Sequence, residues 1–285
     1  MLLVHKIAEA RKAIAEARNA DRKIAFVPTM GALHAGHTSL IDAAKTSGAW
    51  IVVSIYVNPT QFGPKEDFAA YPRTLETDKA ACERAGADLV FVPSNEEMYP
   101  VSDQTRVQPG PLAEKLCGPF RPGHFEGVCT VVAKLFNIVQ PDSAYFGQKD
   151  AQQAVIIERM VEDLRMPLKI VVCPTVREAD GLAMSSRNVR LNPEERKMAL
   201  CLYRALCAGR DRLLGGEASL GRIVAAMRAI IAEYPEIKVD YLSIADPKTL
   251  ETPVQLADRL LIAGAIRIGQ TRLIDNIVVE IANPK

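Results

Sequence analysis

The feature that most constrains this sequence is a short apolar run, residues 23–27, which leads into a loop containing Gly31 and Gly36. An unbroken apolar run of this length is typical of a parallel strand that is buried on both faces. We expect Pro28 to end the strand. Apolar residues then recur at helical spacing, which predicts a helix that begins near His37. The sequence therefore predicts a strand, a glycine loop and a helix N-terminus, and the unpaired N–H groups of such a terminus suit a phosphate group.

The alternation of strand and helix continues through the first 175 residues. Further apolar or β-branched runs predict strands at residues 50–57, 88–92, 143–146 and 169–173. Helical spacing predicts helices at residues 7–18, 75–85, 128–139 and 151–165. This order predicts an α/β fold, a Rossmann-like parallel sheet with helices on both faces. Ligands of such sheets bind beyond the carboxyl ends of the strands, where the loops at Pro28, Asn58 and Pro93 lie.

The composition changes beyond residue 175. Residues 175–188 are polar and loop-like, and helices are predicted at residues 193–214 and 220–233. Two or three strands, at residues 238–244, 260–268 and 272–277, are predicted to complete a small α+β domain. We therefore divide the chain into a Rossmann-like domain, residues 1–175, and a smaller C-terminal domain, residues 176–285, that covers the site. Residues 120–127 are rich in Gly and Pro, and we expect them to form a mobile loop over the site.

The charge balance argues against several classes of partner. The chain has 35 Lys and Arg residues against 34 Asp and Glu residues, so it has no bulk field to attract nucleic acid or an anionic membrane. No apolar run reaches the roughly 18 residues of a membrane helix, and residues 1–6 lack the pattern of a secretory signal. The six cysteines form no C-x-x-C pair, so we expect buried free thiols in a cytoplasmic protein, with neither disulfides nor a metal cage.

Two histidines three residues apart, His34 and His37, lie in the glycine loop. Histidines and backbone N–H groups placed on the phosphates of ATP would relieve the charge that builds up when an anionic nucleophile attacks the α-phosphorus. The alternative is a turn with one capping and one surface histidine, but the flanking glycines and the preceding strand favour the phosphate site. A P-loop is excluded, because His37 occupies the position of its lysine in the stretch from Gly31 to Thr38.

A second candidate stretch, Gly147-Gln148-Lys149-Asp150, follows a predicted strand. Lys149 is a cation beside a glycine, although a capped helix with a surface lysine explains the pattern about equally well. Gln152 and Gln153 follow in the first turn of the next helix, and their carboxamides can bond hydroxyl and carboxylate groups. The alternative for the two glutamines is a solvated helix face.

Two further stretches are weaker signals when taken singly. Met184-Ser185-Ser186-Arg187-Asn188 offers hydroxyl groups and one cation for phosphate oxygens, a combination that is common by chance. Gln61 lies in the proline-bounded stretch Asn58-Pro59-Thr60-Gln61-Phe62 and could reach a polar substrate. The alternative for Gln61 is a position in a simple turn.

The four stretches occur together in this sequence. In chain order they are the glycine loop Pro28-Thr29-Met30-Gly31-Ala32-Leu33-His34-Ala35-Gly36-His37, the Gln61 stretch, the Lys149 stretch extended by Tyr145 and Phe146, and the stretch from Met184 to Asn188. This combination resembles the pantothenate synthetase family, the pantoate–β-alanine ligases, over essentially the whole chain. The wider nucleotidyltransferase group includes the class I aminoacyl-tRNA synthetases, and the residues from Leu33 to His37 are similar to their HIGH motif. Met184 to Arg187 looks like a remnant of their KMSKS loop in which Ala183 and Ser186 stand in place of the lysines.

The resemblance implies a two-step reaction with ATP as a substrate and Mg²⁺ as its companion ion. The pantoate carboxylate attacks the α-phosphorus of ATP to give pantoyl adenylate and pyrophosphate, and the β-alanine amine then displaces AMP. His37 is implied as the catalytic residue, with His34 and Lys149 acting beside it. The residues implied in ATP binding are Met30, Gly31, Ala32, Leu33, His34, Ala35, Gly36, His37, Gly147, Gln148, Lys149, Asp150, Val176, Met184, Ser185, Ser186 and Arg187.

The resemblance also implies where the other substrates bind. Gln61 and Gln153 hold pantoate, and Gln61 also helps to place β-alanine. The family works in the cytoplasm as a homodimer through its larger domain, the one that binds ATP and pantoate, and the protein supplies no metal cage. Two alternatives stay open: another adenylyltransferase of the same superfamily, which would release pyrophosphate but no AMP, and a catalytically silent nucleotide-binding regulator.

Overall fold

The larger sheet in this computed structural model, which describes residues 1–64 and 66–281, has six parallel strands. They are β1 (Leu2–Val4), β2 (Ile24–Thr29), β3 (Trp50–Ile55), β4 (Leu89–Phe91), β5 (Ser143–Gly147) and β6 (Lys169–Cys173). Their spatial order is β1-β4-β3-β2-β5-β6. The chain leaves β2 toward β3 on one side and later returns to β5 on the other, so the carboxyl end of β2 lies at the topological switch point, where such sheets bind ligands.

Six helices accompany this sheet along the chain. They are α1 (Ile7–Asn19), α2 (Ala35–Lys45), α3 (Leu75–Ala85), α4 (Asn95–Met98), α5 (His124–Val139) and α6 (Ala151–Asp163). Val27 of β2 shares a buried cluster with Leu40 of α2 and Cys82 of α3. On the opposite face, Phe26 packs edge-on against Phe136 of α5, with the ring centroids 6.3 Å apart. Both faces of β2 are therefore buried, which explains its unbroken apolar sequence.

The smaller sheet contains three antiparallel strands in the order β7-β8-β9. They are β7 (Lys238–Ala245), β8 (Arg259–Ile268) and β9 (Thr271–Glu280), preceded by helices α7 (Pro193–Leu214) and α8 (Leu220–Ile231). Leu206 of α7, Met227 of α8 and Ile262 of β8 belong to one buried core. The predicted fold class, an α/β parallel sheet followed by a small α+β region, is confirmed.

Residue contacts divide the chain into two compact units. The first comprises Met1–Gly110, Arg121–Gln148 and Ile156–Pro174. The second comprises Pro111–Phe120, Lys149–Val155 and the chain from Thr175 onward. By contacts, two short segments that precede residue 175 therefore pack with the C-terminal part of the chain. The division into functional domains at residues 1–175 and 176–285 stays a prediction.

Several element boundaries differ from the sequence expectation. Pro28 does not end β2, which runs on to Thr29, because β5 pairs with β2 only at Ala25 and Phe26 and leaves the strand open on that side at the proline. Helix α2 starts two residues before His37. The stretch 120–127 is not wholly a loop, since α5 already covers its second half. Strand β1 was not expected, because three residues are too few for a recognisable pattern.

Two further expectations concern the cysteines, predicted to be buried free thiols, and the absence of a membrane-spanning helix. All six cysteines are free thiols, and five of them are buried. Among the residues that the structure describes, no helix has both the length and the apolar character needed to span a membrane.

Candidate active site

The glycine loop after β2 has an unusual backbone. Gly31 and Ala32 both have positive φ angles, +82° and +51°. A Cβ atom on Gly31 would lie 3.0 Å from Oδ2 of Asp78 and 3.1 Å from a methyl of Ile55, so only glycine fits there. Ala32 accepts a left-handed conformation that costs an L-residue roughly 1–2 kcal/mol. Such a conformation persists only where the surroundings hold it.

Asp78 holds the loop in this shape. Its Oδ2 accepts a hydrogen bond from the N–H of Ala32 at 2.9 Å, and its Oδ1 accepts one from the N–H of Leu33 at 2.8 Å. The hydroxyl of Thr74 donates to both carboxylate oxygens at 3.2 Å. Asp78 is 1 % exposed, so these donors satisfy a buried charge. Two of the loop amides expected to face a phosphate are therefore bound by the protein itself.

Asp78 is not among the predicted site residues, although the sequence contains one signal for it. Asp78 follows Leu75 by three residues and precedes Cys82 by four, which places it on the apolar face of α3. A carboxylate on the buried face of a helix needs hydrogen-bond donors from elsewhere in the fold. The identity of those donors, 45 and 46 residues earlier, cannot be read from local sequence.

The two histidines face each other at the start of α2. His34 is the N-cap, and its Nδ1 accepts a hydrogen bond from the N–H of Gly36 at 3.1 Å. The N–H of His34 donates to Nδ1 of His37 at 3.3 Å, and the ring centroids are 4.1 Å apart. Because both Nδ1 atoms accept, each neutral ring carries its proton on Nε2. The arrangement thus includes a capping histidine and also orients two N–H donors.

Gln61 lies beside the glycine loop. It ends the short 3₁₀ turn Pro59–Gln61 and is 7 % exposed. Its Nε2 donates to Sδ of Met30 at 3.0 Å, and its Oε1 accepts from Nδ2 of Asn58 at 3.1 Å. Asn58 also donates to the carbonyl of Gly127, at 3.1 Å. The structure therefore brings Met30 and Gln61 together, two residues that sequence analysis assigned to ATP and to pantoate.

A charged chain of contacts supports Gln61 from the other side. His124 contacts the carbonyl oxygen of Gln61 through Nδ1 at 2.8 Å, and its Nε2 lies 2.8 Å from Nη1 of Arg121. Arg121 donates to both carboxylate oxygens of Glu66 at 2.7 Å. Burial raises the pKa of Glu66, but the hydrogen bonds and charge of Arg121 act against it, and the pKa is lowered overall. The Phe120-to-Gly127 region thus contributes a fixed anchor for Gln61.

A cavity of about 350 Å³ in the first unit borders the glycine loop. Its lining includes Met30, Gly31 and Asp78 together with Tyr56 and Asn95. Burial raises the pKa of the Tyr56 hydroxyl, which donates to Oδ1 of Asn95 at 3.0 Å and stays protonated at neutral pH. A mostly apolar cavity with a few polar groups is the usual form of a site for a small molecule.

Lys149 lies in the second unit, in the 3₁₀ turn Gln148–Asp150 that follows β5. Its Nζ is 3.8 Å from Oδ1 of Asp150, and its carbonyl oxygen accepts from Nδ2 of Asn276 at 3.0 Å. In the first unit, a Cβ atom on Gly147 would have no described atom within 4 Å. The space beside Gly147 is therefore not filled by the described residues, and its role in ATP binding stays a prediction.

The stretch from Met184 to Arg187, here called the serine–arginine loop, also lies in the second unit. The N–H of Met184 donates to the carbonyl of Val176 at 3.0 Å, so these two predicted ATP ligands are in contact. The N–H of Arg187 donates to Oγ of Ser185 at 3.2 Å. Asn188 closes the loop by donating from Nδ2 to the carbonyl of Ala183 at 3.1 Å. The loop is thus held by both backbone and side-chain bonds among residues 176–188.

The two neighbouring glutamines of α6 differ in what they do. Gln152 is buried, and its Oε1 accepts from the N–H of Cys117 while its Nε2 donates to the carbonyls of Leu112 and Lys115. A substrate-binding role for Gln152 is therefore wrong, because its carboxamide is used in packing. Gln153 is half-buried, and its assignment to pantoate stays a prediction.

The six-stranded parallel sheet and the histidine-bearing glycine loop at its switch point are those of an α/β protein of the Rossmann type, which binds its ligand at this place. A family model described as pantoate-beta-alanine ligase matches residues 2–278. This chain therefore belongs to the pantoate–β-alanine ligase family. It is an enzyme, and its activity is that of a pantoate–β-alanine ligase.

Curated relatives and solved structures agree with this assignment. A pantothenate synthetase of Moorella thermoacetica is 54 % identical over 281 residues, which covers 99 % of each chain. The crystal structure of pantothenate synthetase from Thermus thermophilus matches with a TM-score of 0.91 and 48 % identity, covering 97 % of this chain and 99 % of that one. A pantoate-beta-alanine ligase from Francisella tularensis, complexed with beta-gamma ATP and beta-alanine, matches with a TM-score of 0.78 and 35 % identity, covering 98 % and 97 %.

Proposed function

We propose that this enzyme joins pantoate to β-alanine through a pantoyl-adenylate intermediate. In the first step a pantoate carboxylate oxygen forms a bond to the α-phosphorus of ATP, and pyrophosphate leaves with the electrons of the broken P–O bond. In the second step the β-alanine nitrogen bonds to the activated carbonyl carbon, AMP leaves, and the amine gives a proton to solvent. The products are pantothenate, AMP and pyrophosphate.

The observation that carries this proposal is the pairing of His34 and His37. The Nδ1 of His34 accepts from the N–H of Gly36, and the Nδ1 of His37 accepts from the N–H of His34. In the neutral rings the proton is therefore on Nε2, which can donate to a phosphate oxygen. The first step needs no base, because its nucleophile is already an anion. It needs in-line positioning and relief of the charge on the phosphates. Paired imidazoles at a helix N-terminus supply that relief.

Residues of each unit have separate roles in the proposal. In the first unit, the residues from Met30 to His37, with Gly147 and Gln148, bind ATP, and His37 is the main catalytic donor with His34 beside it. In the second unit, Lys149 supplies positive charge for the phosphates. Asp150, Val176 and the serine–arginine loop complete the second unit's share of ATP binding.

Gln61 and Gln153 are the proposed pantoate ligands, and Gln61 also places β-alanine. Gln61 is supported in this role by its burial and by its contact with Met30, which is itself a proposed ATP ligand. A carboxamide can accept from a pantoate hydroxyl and donate to a carboxylate at the same time. Its position next to the glycine loop fits a nucleophile that must meet the α-phosphorus.

Mg²⁺ fits the donors that the chain offers. No group of three His, Cys, Asp or Glu side chains that could hold a metal occurs among residues 1–64 and 66–281. Mg²⁺ is often bound by one or two carboxylates together with substrate phosphates. Asp150, which is near Lys149 and about half exposed, is the carboxylate we assign to this role. When bound with ATP, Mg²⁺ would supply charge neutralisation to the phosphates.

We further propose that the enzyme acts in the cytoplasm as a homodimer assembled through residues 1–175. Five buried free thiols are typical of a reducing compartment. Sedimentation of the full chain tests the dimer, and a monomer at micromolar concentration would contradict it.

An AMP-release assay tests the reaction. AMP should appear only when ATP, pantoate and β-alanine are all present, in a one-to-one ratio with pantothenate. With ATP and pantoate but no β-alanine, pyrophosphate release limited to about one equivalent per site would support a pantoyl-adenylate intermediate. Steady AMP release without β-alanine, or pyrophosphate release without AMP from the complete mixture, would instead favour another adenylyltransferase, and no turnover at all would favour a regulator.

A further inference from the structure

We propose that Arg177, Asp275 and Asn276, here called the β9 brace, position Lys149 and the serine–arginine loop for the phosphates of ATP. The inference rests on the proposed ATP-binding role of Lys149 and the loop. The residues of the brace need not touch ATP. They would act through the parts of the second unit that do, which makes them positioning residues.

The first link runs from β9 to Lys149. Asn276 is 4 % exposed, and its Nδ2 donates to the carbonyl oxygen of Lys149 at 3.0 Å. The bond spans 127 residues of sequence and joins a strand of the small sheet to the turn that carries Lys149. Lys149 has a flexible side chain, so the direction in which its ammonium group points depends on how firmly its backbone is held. The Asn276 amide supplies that hold.

The second link runs from β9 to the segment that leads into the serine–arginine loop. Asp275 accepts from Nη1 of Arg177 at 2.6 Å and from Nη2 at 3.0 Å. Arg177 also donates to the carbonyl of Gly181 at 3.1 Å and forms an antiparallel bridge with Ala183, the residue before the loop. The N–H of Asn276 donates to Oδ1 of Asp275 at 2.7 Å, so the two links share adjacent residues.

Tyr203 on α7 clamps the same segment. The guanidinium carbon of Arg177 lies 3.8 Å from the centre of the Tyr203 ring, which is close for a cation–π contact. Gly181 has φ +95°, and a Cβ atom there would lie 2.7 Å from Cδ1 of Tyr203. The residues before the serine–arginine loop therefore pack closely against both the small sheet and α7.

The hydrogen bonds of Arg177 indicate whether this residue binds ATP itself or positions the serine–arginine loop. An arginine guanidinium is a common ligand of phosphate groups, and Arg177 lies between Val176 and the serine–arginine loop. In the structure its fork is occupied by the buried carboxylate of Asp275 and by two backbone carbonyls. Removing it from Asp275 would leave a buried charge without its partner, which is strongly unfavourable. Arg177 therefore fixes the loop and leaves phosphate contact to Lys149 and Arg187.

Burial raises the pKa of Asp275, while Arg177 and the charge of Lys149 oppose that shift. The ammonium group of Lys149 is thus near enough to interact with the brace, in addition to the backbone bond. A change at Asn276 should consequently disturb the position of Lys149 more than the stability of the small sheet. We expect kcat/KM for ATP to fall by roughly 10- to 100-fold, because misplacing a catalytic group by about 1 Å costs of that order.

The decisive experiment is a double-mutant cycle in the full-length enzyme. Asn276→Asp keeps the shape of the side chain but replaces the donor with an acceptor, and Asn276→Ser is a second variant in case the added buried carboxylate prevents folding. Each is measured alone and in a Lys149→Ala background, with kcat and KM for ATP and for pantoate. The affinity for a non-hydrolysable ATP analogue is measured too, since it can be read even where turnover is slow.

The inference expects the Asn276 effect to appear in ATP binding and turnover, to leave KM for pantoate nearly unchanged, and to vanish when Lys149 is already alanine. Val279→Ala, a core truncation in the same strand, is the control: it should lower Tm without changing KM for ATP. Additive losses, or an equal loss in the control, would overturn the brace. Failure of the wild-type enzyme to release AMP from pantoate, β-alanine and ATP would instead overturn the proposed function.

Discussion

Leu33 donates its backbone N–H to the carboxylate of Asp78 at 2.8 Å, and this bond ties the glycine loop to α3. The neighbouring N–H of Ala32 bonds the other carboxylate oxygen. A buried carboxylate with two amide partners is stable only while both are in place, and the left-handed backbone of Ala32 persists only while the carboxylate holds it. The shape of the loop that presents His34 and His37 is therefore set by a residue on a different helix.

Asp78→Asn should weaken this arrangement. An asparagine offers one acceptor where the loop has two donors, and its NH₂ group faces a backbone N–H. We expect a loss of about 1.5–3 kcal/mol in the free energy of unfolding, the range for hydrogen bonds to charged groups, and a larger KM for ATP. Denaturant melts and ATP titrations measure the two effects. Glu76→Gln, on the exposed side of the same helix, is the control, and equal behaviour of the two variants would contradict the role of Asp78.

His37→Ala should slow adenylate formation by about 10²–10³-fold, the usual cost of losing one preorganised transition-state donor. The Nδ1 of His37 also accepts a hydrogen bond from the N–H of His34, so the substitution should leave His34 less well oriented. Pyrophosphate release in a single turnover with ATP and pantoate measures the step, and circular dichroism checks the fold. His5→Ala, at an exposed position, controls for loss of a histidine. Unchanged turnover would remove His37 from the mechanism.

The order of strands and helices was predictable because burial on both faces gives parallel strands unbroken apolar sequences. Helix α3 and helix α7 begin and end where their patterns predicted. Local pattern is enough for such elements, since each is defined by its own periodicity. It is not enough for β1, which is short and becomes a strand only through its pairing with β4.

The site was predictable only in part, because its supports come from distant sequence. The histidine pair and Lys149 are adjacent to glycines at strand ends, which is a local signal. Asp78 bonds the N–H of Leu33 from 45 residues away, and Asn276 bonds the carbonyl of Lys149 from 127 residues away. The sequence around Asp78 and Asn276 does not indicate either partner. The backbone N–H groups of Ala32 and Leu33 show the opposite problem. The local sequence predicts that they face a ligand, but in the folded protein they donate to Asp78.

Gln61→Ala should weaken pantoate and β-alanine more than ATP. The carboxamide contacts Met30 and Asn58, whereas the bonds from Asp78 to Ala32 and Leu33 do not involve Gln61 and stay in place. Initial rates with each substrate varied in turn give the three KM values, and a shift of tenfold or more is expected for the first two only. Gln140→Ala, at an exposed helix end, serves as the control. An equal loss for all three substrates would point to a folding role.

Gly127→Ala should displace the turn that carries Gln61. A Cβ atom on Gly127 would lie 2.4 Å from the carbonyl oxygen of Thr60, closer than any real contact. Alanine favours a helix by about 1 kcal/mol over glycine, so alanine would stabilise the fold if the space beside residue 127 were empty. We expect the reverse, a lower Tm and weaker pantoate binding, because overpacking costs about 1–3 kcal/mol. Gly110→Ala, where no described atom lies within 4 Å, should change neither.

Glu66→Gln should lower stability at neutral pH and lose its effect in acid. The pKa of Glu66 is lowered in the folded enzyme, because the bonds and charge of Arg121 outweigh the burial that raises it. A carboxyl group with a lowered pKa stabilises the fold above its unfolded pKa, about 4.3, and this contribution disappears as the pH falls through the folded value. Thermal melts from neutral pH into acid should therefore show the wild type above the variant at neutral pH, with the two converging as the pH falls through the lowered pKa of Glu66. Glu83→Gln, an exposed carboxylate, should track the wild type throughout. A gap between wild type and Glu66→Gln that does not narrow at all as the pH falls into acid would mean that the Arg121 contact stabilises through packing and not through charge.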